Sequence, residues 1–155
     1  MSDWSEADET FMRAARAEAK VAASGGEIPV GALVVKNGEV IGAGMNRSIQ
    51  DADPTAHAEI VAIRAAAQAG QNYRLNGTTV YVTLEPCAMC IGAMIQARVS
   101  RLVFGAYDEK AGAAGSVLDL ADNRRLNHQI EVNGGLQEKK CAAVLKKFFE
   151  SRRRQ

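Results

Sequence analysis

Two short segments constrain this chain more than any other feature: His57-Ala58-Glu59 and Pro86-Cys87-Ala88-Met89-Cys90. Imidazole and thiolate are ligands that zinc prefers, and a Cys-x-x-Cys pair can close on one metal from a single helical turn. Three protein ligands leave a fourth position open. Glu59 is too close to His57 to fill that position without strain, but it can act as a base beside it. The segments therefore predict a catalytic zinc site with one ion per chain.

Two other interpretations of these segments are weaker. A closed structural zinc site normally needs four Cys or His ligands, and the remaining candidates, Cys141 and His128, do not belong to a ligand-spaced pair. Cys141 stands in an apolar helical stretch and is expected to be a buried helix residue. A redox role for the Cys-x-x-Cys pair would leave the His-x-Glu segment unexplained.

Length and composition predict one domain in a reducing compartment. The chain has 155 residues, 47% of them hydrophobic and 24% charged, which is typical of one soluble domain spanning 1–155. Three cysteines are an odd count, and two are assigned to the metal, so we expect a cytoplasmic protein without disulfides. The first residues are acidic, unlike a signal peptide, and no apolar run approaches the roughly 20 residues that span a bilayer.

Charge is distributed unevenly although the net charge is only +1. The first ten residues carry acids and no base, whereas residues 146–155 are basic. A basic helix end is usually solvated and favoured by the helix dipole, so alone it indicates RNA contact only weakly.

Hydrophobic periodicity and turn residues predict four helices and five strands. The strands are predicted at 30–35, 40–42, 78–83, 102–104 and 129–133. The helices are predicted from a cap at Ser5 to Gly25, at about 55–69, at about 87–97, and from 136 to about 152. Asp53 is expected to cap the second helix, with Pro54 at its first position and His57 in its first turn. Alternating strands and helices give a three-layer α/β/α sandwich with a mixed five-stranded sheet.

With these elements, both groups of ligands begin a helix. The positive end of a helix dipole favours thiolate over thiol, so helix starts are suitable places for cysteine ligands. The order H-x-E…P-C-x-x-C is also the general signature of zinc nucleobase deaminases. The chain resembles the cytidine deaminase superfamily and, within it, the bacterial tRNA-specific adenosine deaminases. The resemblance covers almost the full length, and the run Gly112–Ser116 and the basic last helix are the parts that resemble the tRNA enzymes specifically.

The resemblance implies hydrolysis of the wobble adenosine (position 34) of a tRNA anticodon to inosine, with release of ammonia. The residues that match the zinc ligands are His57, Cys87 and Cys90. Glu59 matches the proton shuttle between water, the base and the leaving amine. Family members are homodimers whose second subunit helps complete the RNA surface, so a homodimer is expected here.

The resemblance and the sequence also suggest residues that contact the substrate, an anticodon stem-loop. Asn46 matches a side chain that binds the base edge, with Val30 and the backbone of Ala58 as pocket walls. Asp108 matches a position near the ribose of a flanking nucleotide. Cations that can hold phosphates are Lys110 and the cluster Arg152–Arg154, and Phe149 can stack on a base.

Several of these assignments have ordinary structural alternatives. Asn46 can be a turn residue, Val30 a core residue, Gly112–Ser116 a flexible loop, and Phe149 part of the packing. Two other functions stay open. One is a deaminase of free nucleobases or nucleosides of the cytosine or guanine type, which the basic last helix and the 105–116 segment disfavour. The other is a non-catalytic zinc-containing RNA-binding module, which has no use for Glu59.

Overall fold

The computed structural model describes residues 4–153, so Arg154 of the predicted basic cluster lies outside the described residues. It contains the predicted number and order of elements. The helices are α1 (Glu6–Ser24), α2 (Ala58–Gly70), α3 (Ala88–Ala97) and α4 (Glu138–Arg153). The strands are β1 (Gly31–Lys36), β2 (Glu39–Met45), β3 (Thr78–Leu84), β4 (Arg101–Ala106) and β5 (Glu131–Gly134). None of these helices is long and apolar enough to cross a membrane.

The strands form one mixed sheet in the order β2-β1-β3-β4-β5. β1 pairs antiparallel with β2 and β3, whereas β3, β4 and β5 run parallel. The β1–β2 hairpin turns at Asn37 and Gly38, whose φ angles of 51° and 77° suit a tight hairpin turn. Side chains alternate between the two faces of the sheet, so each face has its own core. One core packs against α2 and α3 and the other against α1 and α4, which confirms the three-layer sandwich.

The start of α1 is fixed as the sequence predicts. The Ser5 hydroxyl accepts from the Asp8 N–H, and the Asp8 carboxylate accepts from the Ser5 N–H, which is a capping box. The buried Asp8 also accepts from the Tyr81 hydroxyl at 2.6 Å and from both terminal nitrogens of Arg101. Burial pushes the pKa of Asp8 upward, but the bonds from Arg101 and Tyr81 outweigh it and hold this pKa at about 2. α1 is therefore tied to β3 and β4 through one carboxylate.

The start of α2 differs from the prediction. The helix begins at Ala58, and His57 is its N-cap residue with extended backbone (φ −71°, ψ 155°), so the predicted cap at Asp53 is wrong. Asp53 Oδ1 instead accepts from the N–H and the hydroxyl of Thr55, at 2.8 and 2.7 Å. This local Asx-type turn uses the carboxylate that a helix cap would need. His57 therefore lies at the N-terminal end of α2, directly before its first turn.

Two glycines of β2 bring that strand into direct contact with α2. A Cβ atom on Gly42 would lie 2.5 Å from the Ala62 carbonyl oxygen, and one on Gly44 would lie 2.6 Å from the Ala58 carbonyl oxygen. Real Cβ atoms do not approach backbone this closely, so only glycine fits at either position. The helix that carries His57 and Glu59 therefore rests on the backbone of the strand.

Candidate active site

Three ligand side chains meet at the beginnings of α2 and α3. His57 and Cys87 are the N-cap residues of these helices, and Cys90 lies in the first turn of α3. The Nδ1 atom of His57 is 3.6 Å from the sulfur of Cys87 and 3.6 Å from that of Cys90. All three donor atoms lie within 4.8 Å of one another. Tetrahedral zinc, with bonds of about 2.0 Å to nitrogen and 2.3 Å to sulfur, sets such atoms about 3.6 Å apart, so this set fits the metal.

The surroundings of Cys87 favour a thiolate. Hydrogen bonds from Cys90 and from His57 hold the pKa of the Cys87 thiol far below its ordinary value, at about 3. The Cys90 thiol donates to Cys87 and is fully buried, and both effects raise its own pKa. A zinc ion held by His57, Cys87 and Cys90 would displace this shared proton, because metal binding deprotonates cysteine ligands.

Glu59 is a buried carboxyl group beside the ligands. It is the second residue of α2 and is 4% exposed. Burial raises the pKa of Glu59 to about 7, and the positive charge of His57 acts in the opposite direction. A dication held by the ligands would also lower this pKa. Because burial favours the neutral form and a bound cation would favour the charged form, this carboxyl group is suited both to accept and to donate a proton.

A pocket of about 170 Å³ opens onto these groups. Its walls include His57, Glu59 and Cys87 together with the predicted substrate residues Val30 and Asn46. The other lining residues are Ile28, Leu84, Glu85, Asp108 and Ala111. The predicted wall residue Ala58 is fully buried behind this surface, and its N–H donates to Asn46 Oδ1 at 2.8 Å.

A wider groove of about 550 Å³ continues from the pocket and shares four of its lining residues, Ile28, Leu84, Asp108 and Ala111. The structure thus brings Asp108 together with the predicted residues Lys110 and Phe149. The groove is also lined by Tyr107, Glu109 and Leu145. Asp108 Oδ1 accepts from the N–H groups of Lys110 and Ala111, at 3.0 and 3.1 Å, so it shapes the turn that carries both residues.

The two described arginines of the basic cluster do not line the pocket or the groove. Arg152 donates to the Gly26 carbonyl oxygen at 2.6 Å, and its guanidinium lies 4.8 Å from the centre of the Phe148 ring. Arg153 is exposed. Arg152 therefore joins the end of α4 to the turn that leads to Ile28 and Val30.

Two buried glutamates near the site have roles that were not predicted from the sequence. Glu85 is 2% exposed, lines the pocket and accepts hydrogen bonds from the 108–116 segment. Glu27 is also 2% exposed and accepts from the N–H groups of Ile49 and Gln50, so it holds the loop between β2 and α2. The position of Glu85 directly before the Pro-Cys ligand segment was the one available signal, whereas Glu27 has none.

The two residues considered as further metal ligands lie elsewhere. His128 Nε2 donates to the Val99 carbonyl oxygen at 2.7 Å. Cys141 is 2% exposed in the α1–α4 core, which confirms the expected buried helix residue. Within residues 4–153, the metal-ligand group of His and Cys side chains contains His57, Cys87 and Cys90 alone.

Comparisons with known proteins agree with this site. A model of the cytidine and deoxycytidylate deaminase zinc-binding region matches residues 5–106. The tRNA-specific adenosine deaminase of Haemophilus influenzae is 51% identical over 150 residues, which cover 96% of this chain and 87% of that protein. A structure solved in studies of A-to-I editing by tRNA:A34 deaminases at the wobble position has a TM-score of 0.85 and 43% identity, covering 88% of this chain and 99% of the other.

A second solved structure shows how widely the fold is used. The guanine deaminase of Nitrosomonas europaea has a TM-score of 0.76 and 26% identity, covering 90% of this chain and 83% of the other. Deaminases with different substrates therefore share this fold, and the substrate must be distinguished by the pocket and its surroundings.

Proposed function

The chain belongs to the cytidine and deoxycytidylate deaminase zinc-binding family, and on that premise we propose that it deaminates the wobble adenosine of a tRNA to inosine. The reaction is hydrolytic and releases ammonia. The observation that carries the proposal is the buried carboxyl group of Glu59 in a pocket wall beside a His/Cys/Cys ligand set. A structural zinc site needs no such group, which argues against a non-catalytic RNA-binding module.

His57, Cys87 and Cys90 are positioned to hold one zinc ion per chain. When bound there, zinc supplies a Lewis acid that makes water nucleophilic near neutral pH. Glu59 takes a proton from the attacking water and delivers it to N1 of the adenine while the oxygen adds to C6. Glu59, now a carboxylate again, takes the remaining proton from the oxygen at C6 and passes it to the amine, which leaves as ammonia while the C6=O bond forms. Burial raises the pKa of Glu59 above its ordinary value, which suits this two-way transfer.

Asn46 and Val30 are proposed to hold the base. The Asn46 oxygen is bonded to the N–H of Ala58, so its NH₂ group is what it offers to a base acceptor. Val30 is 5% exposed and lines the pocket, where it supplies an apolar wall against the base face. The backbone of Ala58 acts through Asn46 by fixing its orientation.

The groove beside the pocket is proposed to receive the neighbouring nucleotides of the anticodon loop. Phe149 is 44% exposed and can stack on a base, and the exposed Lys110 can hold a phosphate. Asp108 lies where the pocket and the groove meet, and its carboxylate can accept from a ribose 2′-hydroxyl. Arg153 adds positive charge at the end of α4, whereas Arg152 contributes mainly through Gly26 and Phe148.

We further propose that the active form is a cytoplasmic homodimer of a single domain spanning 1–155. Exposed apolar side chains on segments that neighbour site residues along the chain support dimerisation: Ile49 in the loop before α2, Met89 in the first turn of α3, and Val117 and Leu118 after the 108–116 segment. The free cysteines support a reducing compartment. One sheet with a core on each face supports a single domain.

Three substrates test the proposed function: an anticodon stem-loop, the same loop made of DNA, and free adenosine. We expect inosine from the RNA loop at a rate well above the other two, because only the RNA loop offers both splayed bases and 2′-hydroxyls. Efficient turnover of free adenosine, or equal rates on both loops, would instead support a small-molecule or general single-strand deaminase. Sequencing total bacterial tRNA after incubation would identify the edited position.

A further inference from the structure

The segment 108–116 is folded around the carboxyl group of Glu85. Oε1 of Glu85 accepts from the N–H of Asp108 at 3.1 Å and from the hydroxyl of Ser116. Oε2 accepts from the N–H groups of Ala114 and Ser116, both at 3.1 Å. Each carboxyl oxygen of Glu85 therefore accepts two hydrogen bonds, and all four donors belong to the 108–116 segment.

The four donors around Glu85 require a side chain that accepts hydrogen bonds through both of its terminal atoms, as a carboxylate does. Burying a charge is unfavourable unless hydrogen bonds or a counter-ion compensate it. No Lys or Arg within residues 4–153 forms an ion pair with Glu85, so the backbone and hydroxyl donors provide the compensation. An ionised carboxylate only accepts, and it matches this set of donors. An amide would turn an NH₂ group toward donors that need an acceptor.

The close approach of the segment explains its small residues. A Cβ atom on Gly112 would overlap the carboxyl carbon of Glu85 and would lie 2.5 Å from the Asp108 carbonyl oxygen. The N–H of Ala113 donates to the Pro86 carbonyl oxygen at 2.8 Å, which ties the segment to the connection between β3 and α3, directly before Cys87. The run Gly112–Ser116 is thus a cradle for an internal carboxylate and not a flexible loop.

This cradle forms part of the substrate site. Asp108 and Ala111 line both the pocket and the groove, and Glu85 lines the pocket. We infer that Glu85 is a positioning residue that holds the 108–116 segment as the wall receiving the RNA strand beside the reacting base. The inference rests on the proposed function and adds a determinant of substrate specificity to it. Glu85 acts through Asp108, which it binds directly and which in turn binds Ala111, whereas Glu59 acts on the reacting atoms.

Two substitutions test the cradle from opposite sides. Glu85→Gln keeps the shape of the side chain but replaces an acceptor by a donor, and Gly112→Ala introduces the overlapping Cβ atom. Gly70→Ala is the matched control, because a Cβ atom at that end of α2 would meet nothing within 4 Å.

The measurements are KM and kcat on the anticodon stem-loop, zinc per chain, and Tm. A positioning role acts on substrate binding, so both cradle variants are expected to raise KM by about tenfold or more. We expect kcat within about threefold of the parent and zinc unchanged.

Parental KM values in both cradle variants would overturn the inference. So would loss of zinc with a lower kcat at unchanged KM, because Glu85 would then support the metal ligands and not the wall. If Glu85→Gln does not fold, Gly112→Ala and Ser116→Ala decide, and Ser116→Ala is expected to raise KM by a smaller factor because the Ser116 N–H remains. Turnover of free adenosine but not of the stem-loop by the parent protein would refute the proposed function instead.

Discussion

The side-chain oxygen of Asn46 accepts a 2.8 Å hydrogen bond from the backbone N–H of Ala58, the first residue of α2. Asn46 therefore stabilises the start of the helix that carries Glu59 and also lines the pocket. Its two polar atoms are divided between these roles, since the oxygen is committed to the helix and the nitrogen remains for the base. Substitutions can separate the roles.

Asn46→Asp keeps an acceptor for Ala58 but removes the NH₂ donor. We expect a Tm near that of the parent and a kcat/KM on the stem-loop lower by about 10- to 100-fold, the usual effect of one lost hydrogen bond in a buried site. Asn46→Ala loses both bonds, so it should also lower the free energy of unfolding by about 1 kcal/mol. Urea unfolding and steady-state kinetics measure the two effects. Full activity of Asn46→Asp would exclude donation to the base.

Glu59→Gln removes proton transfer while preserving the shape of the side chain. Turnover is expected to fall by about 10²- to 10⁴-fold, with zinc content and RNA affinity retained, because the carboxyl group acts along the reaction path. Glu39→Gln, at an exposed position in β2, is the control for loss of one charge. Activity of Glu59→Gln within a few-fold of the parent would mean that another group is the base.

The metal site should contain one zinc per chain bound by two sulfurs and one nitrogen. X-ray absorption is expected to show the Zn–S distance at about 2.3 Å. Cys87→Ala should lose the metal, whereas Cys141→Ala should keep it, because Cys141 lies in the core on the other face of the sheet. A third sulfur around zinc would indicate a closed structural site.

Arg152→Ala and Arg153→Ala each remove one positive charge from the end of α4, but only Arg152 has described contacts with Gly26 and Phe148. Arg153→Ala is expected to lower the slope of log K against log salt by about 0.7, the contribution of one phosphate on a single strand. Arg152→Ala is expected to speed hydrogen exchange at residues 25–30 and to change that slope less. The opposite pattern would place the phosphate contact at Arg152.

Asp8 should make stability depend on pH in acid. Its pKa is about 2 in the folded protein, below the ordinary 3.8, so its stabilisation is present above about pH 4 and is lost as the pH falls toward 2. The difference corresponds to about 2 kcal/mol. Urea unfolding between pH 6 and pH 2 should show this loss in the parent and a flatter profile in Asp8→Asn. An equal loss of stability with falling pH in the parent and in Asp8→Asn would show that Asp8 is not its source.

The ligand set and the fold class were predictable because their signals are local. Ser5 and Asp8 are three residues apart, as are Cys87 and Cys90, and a cap or a metal pair can be recognised at that spacing. The predicted start of α2 was wrong, and the reason is local as well. Asp53 can cap a helix or close a turn with Thr55, and the sequence does not show which hydrogen bond forms.

The role of Glu85 and the contact of Arg152 could not be predicted because their partners are distant along the chain. The donors to Glu85 lie 23 to 31 residues later, and Gly26 is 126 residues from Arg152. The sequence revealed the glycine-rich run and the basic helix end. Their partners became apparent only once the sheet had brought these segments together.

The contact between β2 and α2 also sets how far the helix can move along the sheet. Gly42 and Gly44 are two residues apart, which in a strand is about 6.6 Å. The helix atoms that they face belong to Ala62 and Ala58, four residues apart, which in a helix is about 6.0 Å. The two spacings nearly coincide, so each glycine of the strand faces one turn of the helix. A slip of one residue along the helix would place Ile63, which is larger than alanine, where Ala62 now lies against the strand. Sliding is therefore restricted to steps of about one helical turn, which fixes where His57 and Glu59 lie along the sheet.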